Sequence, residues 1–226
     1  LLLEIFMTAN QIIDGKSIAQ ALRSDIAKEV SDFPSQPGLA VILVGDDAAS
    51  QVYVRNKIKA TEKAGMRSFE HRFPSHASQA AIASMIETLN HDPDVHGILL
   101  QLPLPAHLDS DALIQTIRAE KDVDGLTFLN MGKLIAGEAS GLIPCTPQGS
   151  LKLIQSVCDD LSGKHAVIIG RSLLFGKPMG QLLLQQNCTV TQCHSRTKDL
   201  SGICRQADIL IAAVGRPQMV KADWVK

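Results

Sequence analysis

Apolar residues along the chain form short continuous runs and four-residue repeats, which alternate. The run Leu39–Val44 is typical of a buried strand, and the spacing of Ile18, Leu22, Ile26 and Val30 is typical of an amphipathic helix. The elements predicted in this way for the first half are helix 15–31, strand 39–44, helix 48–64, strand 66–73, helix 77–89, strand 97–101 and helix 109–117. Strands that alternate with helices favour a parallel sheet with helical crossovers.

The second half repeats this alternation after an irregular stretch. Residues 121–127 have the composition of a turn, and a loosely structured segment is expected from there to residue 143. Thr146 is then predicted as the N-cap, and Pro147 as the first residue, of a helix that runs to about Asp160 and links two domains. The elements predicted beyond it are strand 166–169, a helix through 184–187, strand 189–194, helix 200–206 and strand 208–214. We therefore predict an α/β protein with a parallel-sheet domain at 7–145 and a Rossmann-like domain at 146–226.

The composition indicates a packed protein with an aliphatic core. The 226 residues are 45% hydrophobic but only 4% aromatic, and the net charge is −1. This charge balance gives no reason to expect nucleic acid or an anionic membrane as a partner. No apolar run approaches the roughly 20 residues of a spanning helix. The apolar start, 1–6, is too short for a signal peptide, so we expect Met7 to be the natural start and the first six residues to be an added or misassigned leader.

Cysteine and histidine usage favours neither a disulfide framework nor a metal site. The five cysteines are odd in number and include no Cys-x-x-Cys pair. The seven histidines show no His-Glu-x-x-His spacing. Such usage is typical of a reduced, cytoplasmic protein, so we expect no zinc or other metal.

The helix after the first strand carries a candidate catalytic pair. Tyr53 and Lys57 are four residues apart on the predicted helix, and Ser50 lies three residues before Tyr53 on the same face. We expect the three to converge near the carboxyl end of the strand, where open α/β sheets bind ligands. A lone Tyr-x-x-x-Lys pair is also typical of a solvated helix, so the pair alone leaves both interpretations open.

A second candidate site follows the strand at 166–169. Gly170 and Gly176 lie in a strand–turn–helix passage, which suits close approach of the backbone to a pyrophosphate. Ser172 replaces the usual second glycine, so an ordinary α/β loop remains the alternative. The next strand ends in Ser195-Arg196, where an NAD site usually has an acid. Hydroxyls and a guanidinium suit a 2′-phosphate, with Arg171 as a second cation, and therefore favour NADP.

The chain order argues against the short-chain dehydrogenases, which also use Tyr-x-x-x-Lys. In that family the pair follows the glycine loop within one domain, whereas Tyr53 and Lys57 precede Gly170 by more than a hundred residues. The order instead predicts an active site in a cleft between a catalytic domain and a cofactor domain.

From about Ile12 onwards, the chain resembles the bifunctional methylenetetrahydrofolate dehydrogenase/cyclohydrolase family, the FolD type, in five blocks in the same order. The blocks are Val44-Gly45 through Ser50 with Tyr53-Val54 and Lys57; Gly97-Ile98 through Gln101-Leu102-Pro103-Leu104-Pro105; Lys121-Asp122-Val123-Asp124-Gly125; Pro144-Cys145-Thr146-Pro147; and Gly170-Arg171-Ser172 through Gly176-Lys177-Pro178.

The resemblance implies a role for each matching residue. Lys57 would be the catalytic lysine, Tyr53 would position the substrate and the lysine, Gln101 would lie beside the lysine, and Asp124 would anchor the pterin ring. The positions that would hold the NADP phosphates or line the cofactor loop are Arg171, Ser172, Ser195 and Gly215. Without the resemblance, Gln101 suits a structural bond to a loop equally well, and Asp124 suits a solvated acidic turn.

The resemblance also implies the activity. A member of this family oxidises 5,10-methylenetetrahydrofolate to the methenyl form with NADP and then hydrolyses it to 10-formyltetrahydrofolate. The alternatives are an NAD-dependent relative with dehydrogenase activity alone and an inactive fragment that binds nucleotide or folate. Family members continue beyond the position of Lys226 and are typically homodimers joined through the cofactor domain, so we expect this domain to be incomplete here and dimerisation to be weakened.

Overall fold

In the computed structural model, which describes residues 12–226, these residues form two parallel three-stranded sheets. The first has the order β2-β1-β3 and consists of β1 (Gly38–Val44), β2 (Arg67–Phe73) and β3 (Gly97–Leu100). The second has the order β5-β4-β6 and consists of β4 (His165–Ile169), β5 (Thr189–Cys193) and β6 (Ile209–Ala212). The predicted α/β class with parallel sheets is confirmed. The expected leader at 1–6 and the predicted domain start at residue 7 lie outside the described residues.

Helices connect the strands in both halves. They are α1 (Gly15–Ser31), α2 (Ala48–Lys63), α3 (Gln79–His91), α4 (Ser110–Gln115), α5 (Phe128–Ala136), α6 (Cys145–Gln155), α7 (Gly176–Gln185) and α8 (Leu200–Cys204). Single 3-10 turns occur at Ala119–Lys121 and Ala222–Trp224. None of the described helices is both long and apolar enough to cross a membrane.

The loosely structured segment predicted for 128–143 is wrong, because α5 lies within it. The hydroxyl of Thr127 caps this helix by accepting the N–H of Asn130 at 3.4 Å, and Gly137 ends it in the left-handed conformation. Phe128 and Ile135 are 70% and 68% exposed, so the apolar residues of α5 do not all mark a buried face. The helix has only 9 residues, too few turns for its period to be clear in the sequence.

The predicted cap and end of the next helix also need correction. The first backbone bond of α6 runs from the N–H of Gln148 to the carbonyl of Pro144 at 3.3 Å. Thr146 therefore lies inside the first turn and is not the N-cap. The helix ends at Gln155, well before Asp160, and the hydroxyl of Ser156 donates to one of its last carbonyls at 2.6 Å.

The two faces of the first sheet bury different sets of residues. Ala40 and Ile42 of β1 pack on one face in the core cluster that contains α3. Val41 and Leu43 point to the other face, where they pack with Val54 of α2. This alternation is the two-residue period of a strand. It holds α2 against the sheet and fixes the rotation of that helix.

The second sheet is packed in the same way and contacts the first half of the chain through α5. Ile168 of β4 packs with Met179 and Leu183 of α7 on one face, and Ile169 packs with Cys204 of α8 on the other. The Nε2 of Gln185, on α7, donates to the carbonyl of Leu134, on α5, at 2.8 Å. The unpredicted helix α5 is therefore part of the contact between the two halves.

Candidate active site

A cleft of about 670 Å³ brings four of the predicted site residues together. Tyr53, Lys57, Gln101 and Asp124 all line it, and Leu174 of the 170–176 turn reaches it from the second half of the chain. Other lining residues belong to β1, β3, the loop after α4 and the start of α6. The cleft is therefore formed by both halves, as the chain order predicts.

Helix α2 presents the tyrosine and the lysine because its opposite face is buried. The carboxylate of Asp47 accepts the N–H of Ser50 at 2.7 Å and so fixes the first turn. Ser50 and Val54 lie four residues apart on the buried face, which turns Tyr53 and Lys57 toward the cleft. The Nζ of Lys57 lies 4.6 Å from the centre of the Tyr53 ring. Ser50 does not line the cleft, so the predicted group of three is reduced to two.

The charged groups of the cleft are both shifted toward their neutral forms. Burial lowers the pKa of Lys57, and the nearby negative charge of Asp124 opposes this shift. Burial raises the pKa of Asp124, the charge of Lys57 opposes the rise, and Asp122 adds to it. Desolvation therefore outweighs the attraction between Lys57 and Asp124. A lysine with a lowered pKa in a cleft is suited to accept a proton.

Gln101 lies directly after β3 and has one unsatisfied acceptor. Its backbone N–H donates to Ile42 at 2.9 Å, and its Nε2 donates to the carbonyl of Leu102 at 2.7 Å. Its Oε1 is buried and has no hydrogen-bond partner among the residues that the structure describes. Since a buried carbonyl oxygen normally has a partner, this atom is available to a bound molecule or water. The structural and functional interpretations of Gln101 are therefore compatible.

Cys145, at the start of α6, is a cleft residue that the residue patterns missed. It is exposed, and its thiol lies 3.5 Å from the carbonyl of Val123, to which it donates. Packing around the thiol raises its pKa, and the charge of Asp124 adds to that rise. Its one sequence signal is the Pro144–Pro147 block that contributes to the family resemblance. Among residues 12–226, no group of three His, Cys, Asp or Glu side chains could hold a metal ion.

The turn after β4 is tight, and two of its glycines are required by close contacts. Gly170 has a φ of +133°, and a Cβ there would lie 2.6 Å from the carbonyl oxygen of Ala213. A Cβ on Gly176 would collide with the carbonyl of Gly170. The Oγ of Ser172 accepts the N–H groups of Phe175 and Gly176 at 3.2 and 3.4 Å. The turn therefore brings exposed backbone to the start of α7, the geometry of a phosphate-binding loop.

The other predicted cofactor residues follow the carboxyl ends of neighbouring strands. Ser195 and Arg196 are exposed directly after β5, and Gly215 follows β6 with a φ of +61°. Because β4, β5 and β6 are parallel, these residues lie at the same sheet edge as Gly170 and the exposed Arg171. Asp199, the next acid along the chain, is engaged in capping α8. Two cations, hydroxyls and a glycine turn at one edge fit a dinucleotide with an extra phosphate.

Two family models match the chain. Residues 13–124 match tetrahydrofolate dehydrogenase/cyclohydrolase, catalytic domain. Residues 144–226 match tetrahydrofolate dehydrogenase/cyclohydrolase, NAD(P)-binding domain. The second match includes every candidate cofactor residue, and the first includes Tyr53, Lys57, Gln101 and Asp124.

Individual proteins are similar over nearly the whole chain. The bifunctional protein FolD 2 of Paracoccus denitrificans is 55% identical over 219 residues, which cover 95% of this chain and 72% of that protein. The crystal structure of the bifunctional enzyme FolD from Campylobacter jejuni has a TM-score of 0.93 and 43% identity, covering 96% of this chain and 78% of that one. Trypanosoma brucei FolD, solved with NADP cofactor and inhibitor, has a TM-score of 0.91 and 35% identity, covering 96% of this chain and 75% of that one.

Proposed function

Because this chain belongs to the tetrahydrofolate dehydrogenase/cyclohydrolase family, we propose that Lys57 is the catalytic group of its cleft. The protein is a bifunctional enzyme of this family and uses NADP. It oxidises 5,10-methylenetetrahydrofolate to the methenyl form and hydrolyses that product to 10-formyltetrahydrofolate. NADP, when bound, supplies the acceptor for the hydride that leaves the methylene carbon.

The position of Lys57 is the single observation that supports this assignment. Its amine is partly buried in the cleft, and burial lowers its pKa. The methenyl product carries a positive charge, which disfavours an ammonium beside it still further. We therefore infer that Lys57 is at least partly neutral when this cation is bound. In that form its Nζ accepts a proton from the water that attacks the methenyl carbon, and ring opening leaves the formyl group on N10.

The neighbours of Lys57 suit orientation of the substrate and of the amine. The Tyr53 ring lies beside Nζ and is 55% exposed, so it limits the amine on one side and offers its remaining surface to a bound ring. Gln101 lines the same cleft, and its unsatisfied Oε1 would accept a hydrogen bond from water or from a bound molecule. The carboxylate of Asp124 can accept two parallel N–H bonds from the 2-amino-4-oxo edge of a pterin.

The turn after β4 and the sheet edge beside it are our proposed NADP site. Gly170 and Ser172 shape the turn, and the cations Arg171 and Arg196 suit phosphate. Ser195 would add a hydroxyl, and Gly215 would line the cofactor loop. Leu174 of this turn lines the same cleft as Lys57, which would place the nicotinamide end of the cofactor site beside the folate site.

The domain boundaries, the oligomeric state and the cellular role are also proposals. We propose a folate-binding catalytic domain at 7–145 and an NADP-binding domain at 146–226. We also propose a homodimer that works in the cytoplasm and supplies one-carbon units for purine, methionine and histidine biosynthesis. Sedimentation of the purified chain would test the dimer directly.

The first experiment mixes the purified chain with methylenetetrahydrofolate and either NADP or NAD and follows the reduced nicotinamide. We expect turnover with NADP, a much lower rate with NAD, and loss of methenyl hydrolysis in Lys57→Met. Lys59→Met is the matched control, because Lys59 is exposed on the same helix and does not line the cleft. A Lys57→Met enzyme that hydrolyses methenyltetrahydrofolate as fast as Lys59→Met would refute the assignment. Turnover with NAD alone would support the dehydrogenase-only alternative, and ligand binding without turnover would support the inactive fragment.

A further inference from the structure

A buried carboxylate and a buried amide lie behind the loop that carries Asp124. Asp122 and Asn130 are each 1% exposed. The Nδ2 of Asn130 donates to the Oδ2 of Asp122 at 3.0 Å, and the same oxygen accepts the N–H of Thr127 at 2.8 Å. In the described part of the chain, no cation forms an ion pair with Asp122. A buried carboxylate held by amides alone depends strongly on each of them, because the loss of one donor leaves it poorly satisfied.

Asn130 connects three segments of the chain through one side chain. Besides Asp122, its Nδ2 donates to the carbonyl of Ala119 at 2.8 Å. Its Oδ1 accepts the N–H of Leu142 at 3.2 Å. Both amide hydrogens and one acceptor position are therefore in use. The side chain ties α5 to the loop after α4 and to the segment that leads into α6.

Asp124 lies on the part of the loop that these bonds hold. It is two residues from Asp122, whose backbone also forms a parallel bridge with Ile98 of β3. The next residue, Gly125, is pressed against the 142–144 segment, since a Cβ there would lie 2.6 Å from the carbonyl oxygen of Leu142. Movement of either segment would therefore displace the Asp124 carboxylate from the cleft.

We propose that Asn130 is a positioning residue, which fixes the Asp124 carboxylate for the pterin by holding Asp122 and the 142–144 segment. This inference rests on the proposed role of Asp124 in folate binding. It assigns a function to α5, the helix that also contacts the NADP-binding half through Leu134.

The charge of Asp122 gives the same network an electrostatic effect. Asp122 adds to the raised pKa of Asp124, and it also raises the pKa of Cys145. The charge that opposes it at Asp124 is that of Lys57, on α2. Asp122 therefore influences both where Asp124 lies and at what pH it ionises.

The test compares Asn130→Ala with Asn90→Ala. Asn90 is 3% exposed in the same half of the chain, its Nδ2 donates to Thr116 at 2.8 Å, and its Oδ1 accepts the N–H of Arg118 at 3.0 Å. It does not line the cleft, so its loss should lower the melting temperature without affecting the folate site. We expect Asn130→Ala to raise the Kd of tetrahydrofolate, measured by calorimetry without NADP, and the KM of methylenetetrahydrofolate at least 10-fold. The KM of NADP should stay within twofold of wild type.

Two further variants decide the outcome if Asn130→Ala does not fold. Asn130→Asp keeps the size of the side chain but can donate to neither Asp122 nor the carbonyl of Ala119, so it should lose folate affinity as Asn130→Ala does. Asp122→Asn alone should shift the acidic loss of folate binding to lower pH, because it removes a charge that raises the pKa of Asp124. Folate affinity equal to that of Asn90→Ala in either Asn130 variant would overturn the proposal, and an unshifted profile would refute the effect of the Asp122 charge on Asp124. A wild-type chain that neither binds tetrahydrofolate nor turns over would instead refute the proposed function.

Discussion

Replacing Asp124 by asparagine tests how the two charged groups of the cleft depend on each other. The change keeps the size of the side chain and removes its charge. Asp124 opposes the lowering of the Lys57 pKa, so its removal should lower that pKa further. At the same time a pterin would lose a charged acceptor. One substitution should therefore weaken folate binding and make Lys57 easier to deprotonate.

The size of the binding loss follows from the kind of bond removed. A hydrogen bond to a charged group contributes about 1.5–3 kcal/mol, so the loss of one such bond should raise the KM for folate by roughly 10- to 150-fold. For the hydrolytic step, we expect a change in the pH dependence of the rate and not in its maximum. Activity that requires neutral Lys57 rises as pH increases through the Lys57 pKa, so in Asp124→Asn this rise should occur at lower pH. The loss of binding on the acid side, which reflects protonation of Asp124, should disappear.

The assay is methenyltetrahydrofolate hydrolysis followed by absorbance across a pH series at saturating and at limiting substrate. Asp111→Asn is the control, because Asp111 is exposed on α4 and does not line the cleft. A rise in activity that stays at the wild-type pH, or that moves to higher pH, would show that Asp124 does not act on the group whose deprotonation limits hydrolysis. An unchanged KM would show that Asp124 does not hold the pterin.

Three further substitutions, one of them with a matched control, test other parts of the structure. Arg196→Ala should raise the KM of NADP about 10-fold, from the loss of one charge-assisted bond, and leave that of NAD unchanged; an equal effect on both would exclude a contact with the 2′-phosphate. Lys57→Arg should abolish the pH-dependent rise in hydrolysis, because a guanidinium stays protonated; a wild-type profile would exclude the lysine as the base. Gly125→Ala should cost at least about 3 kcal/mol in urea unfolding, since it combines a left-handed conformation with a close contact. Gly137→Ala, which has the conformation but no neighbour within 4 Å, should cost about 1 kcal/mol, and equal losses would contradict this account.

The regular elements could be predicted where one signal was strong. Helix α1 was predicted with the bounds the structure gives it, 15–31, because four apolar residues repeat at helical spacing. The central strand of each sheet was predicted within one residue, because its apolar run is continuous. Helix α5 was missed because its 9 residues span too few turns for a helical period to be clear, and several of its large apolar residues are exposed.

The candidate site shows a similar division. The spacing of Tyr53 and Lys57 was enough to place them on one helix face, and the structure places both in the cleft. The same spacing argument placed Ser50 with them, which was wrong, because the buried face of α2 begins there. Nothing local in the sequence indicates that Asn130 contacts Asp122 or that Cys145 lies near Asp124, since these contacts join separate segments.

By itself, the sequence determined the alternation of strands and helices, the parallel sheets, the Tyr/Lys pair at 53 and 57, and the glycine-containing turn at 170–176. Backbone propensity and side-chain period act between near neighbours, so their effects can be read along the chain. Only the tertiary structure decided which groups are buried together. Desolvation of Lys57 and Asp124 depends on atoms from α2, the loop after α4 and the start of α6, which meet only after folding. The pKa of each group, and therefore its chemistry, depends on the atoms that surround it in the folded protein and not on the residue type alone.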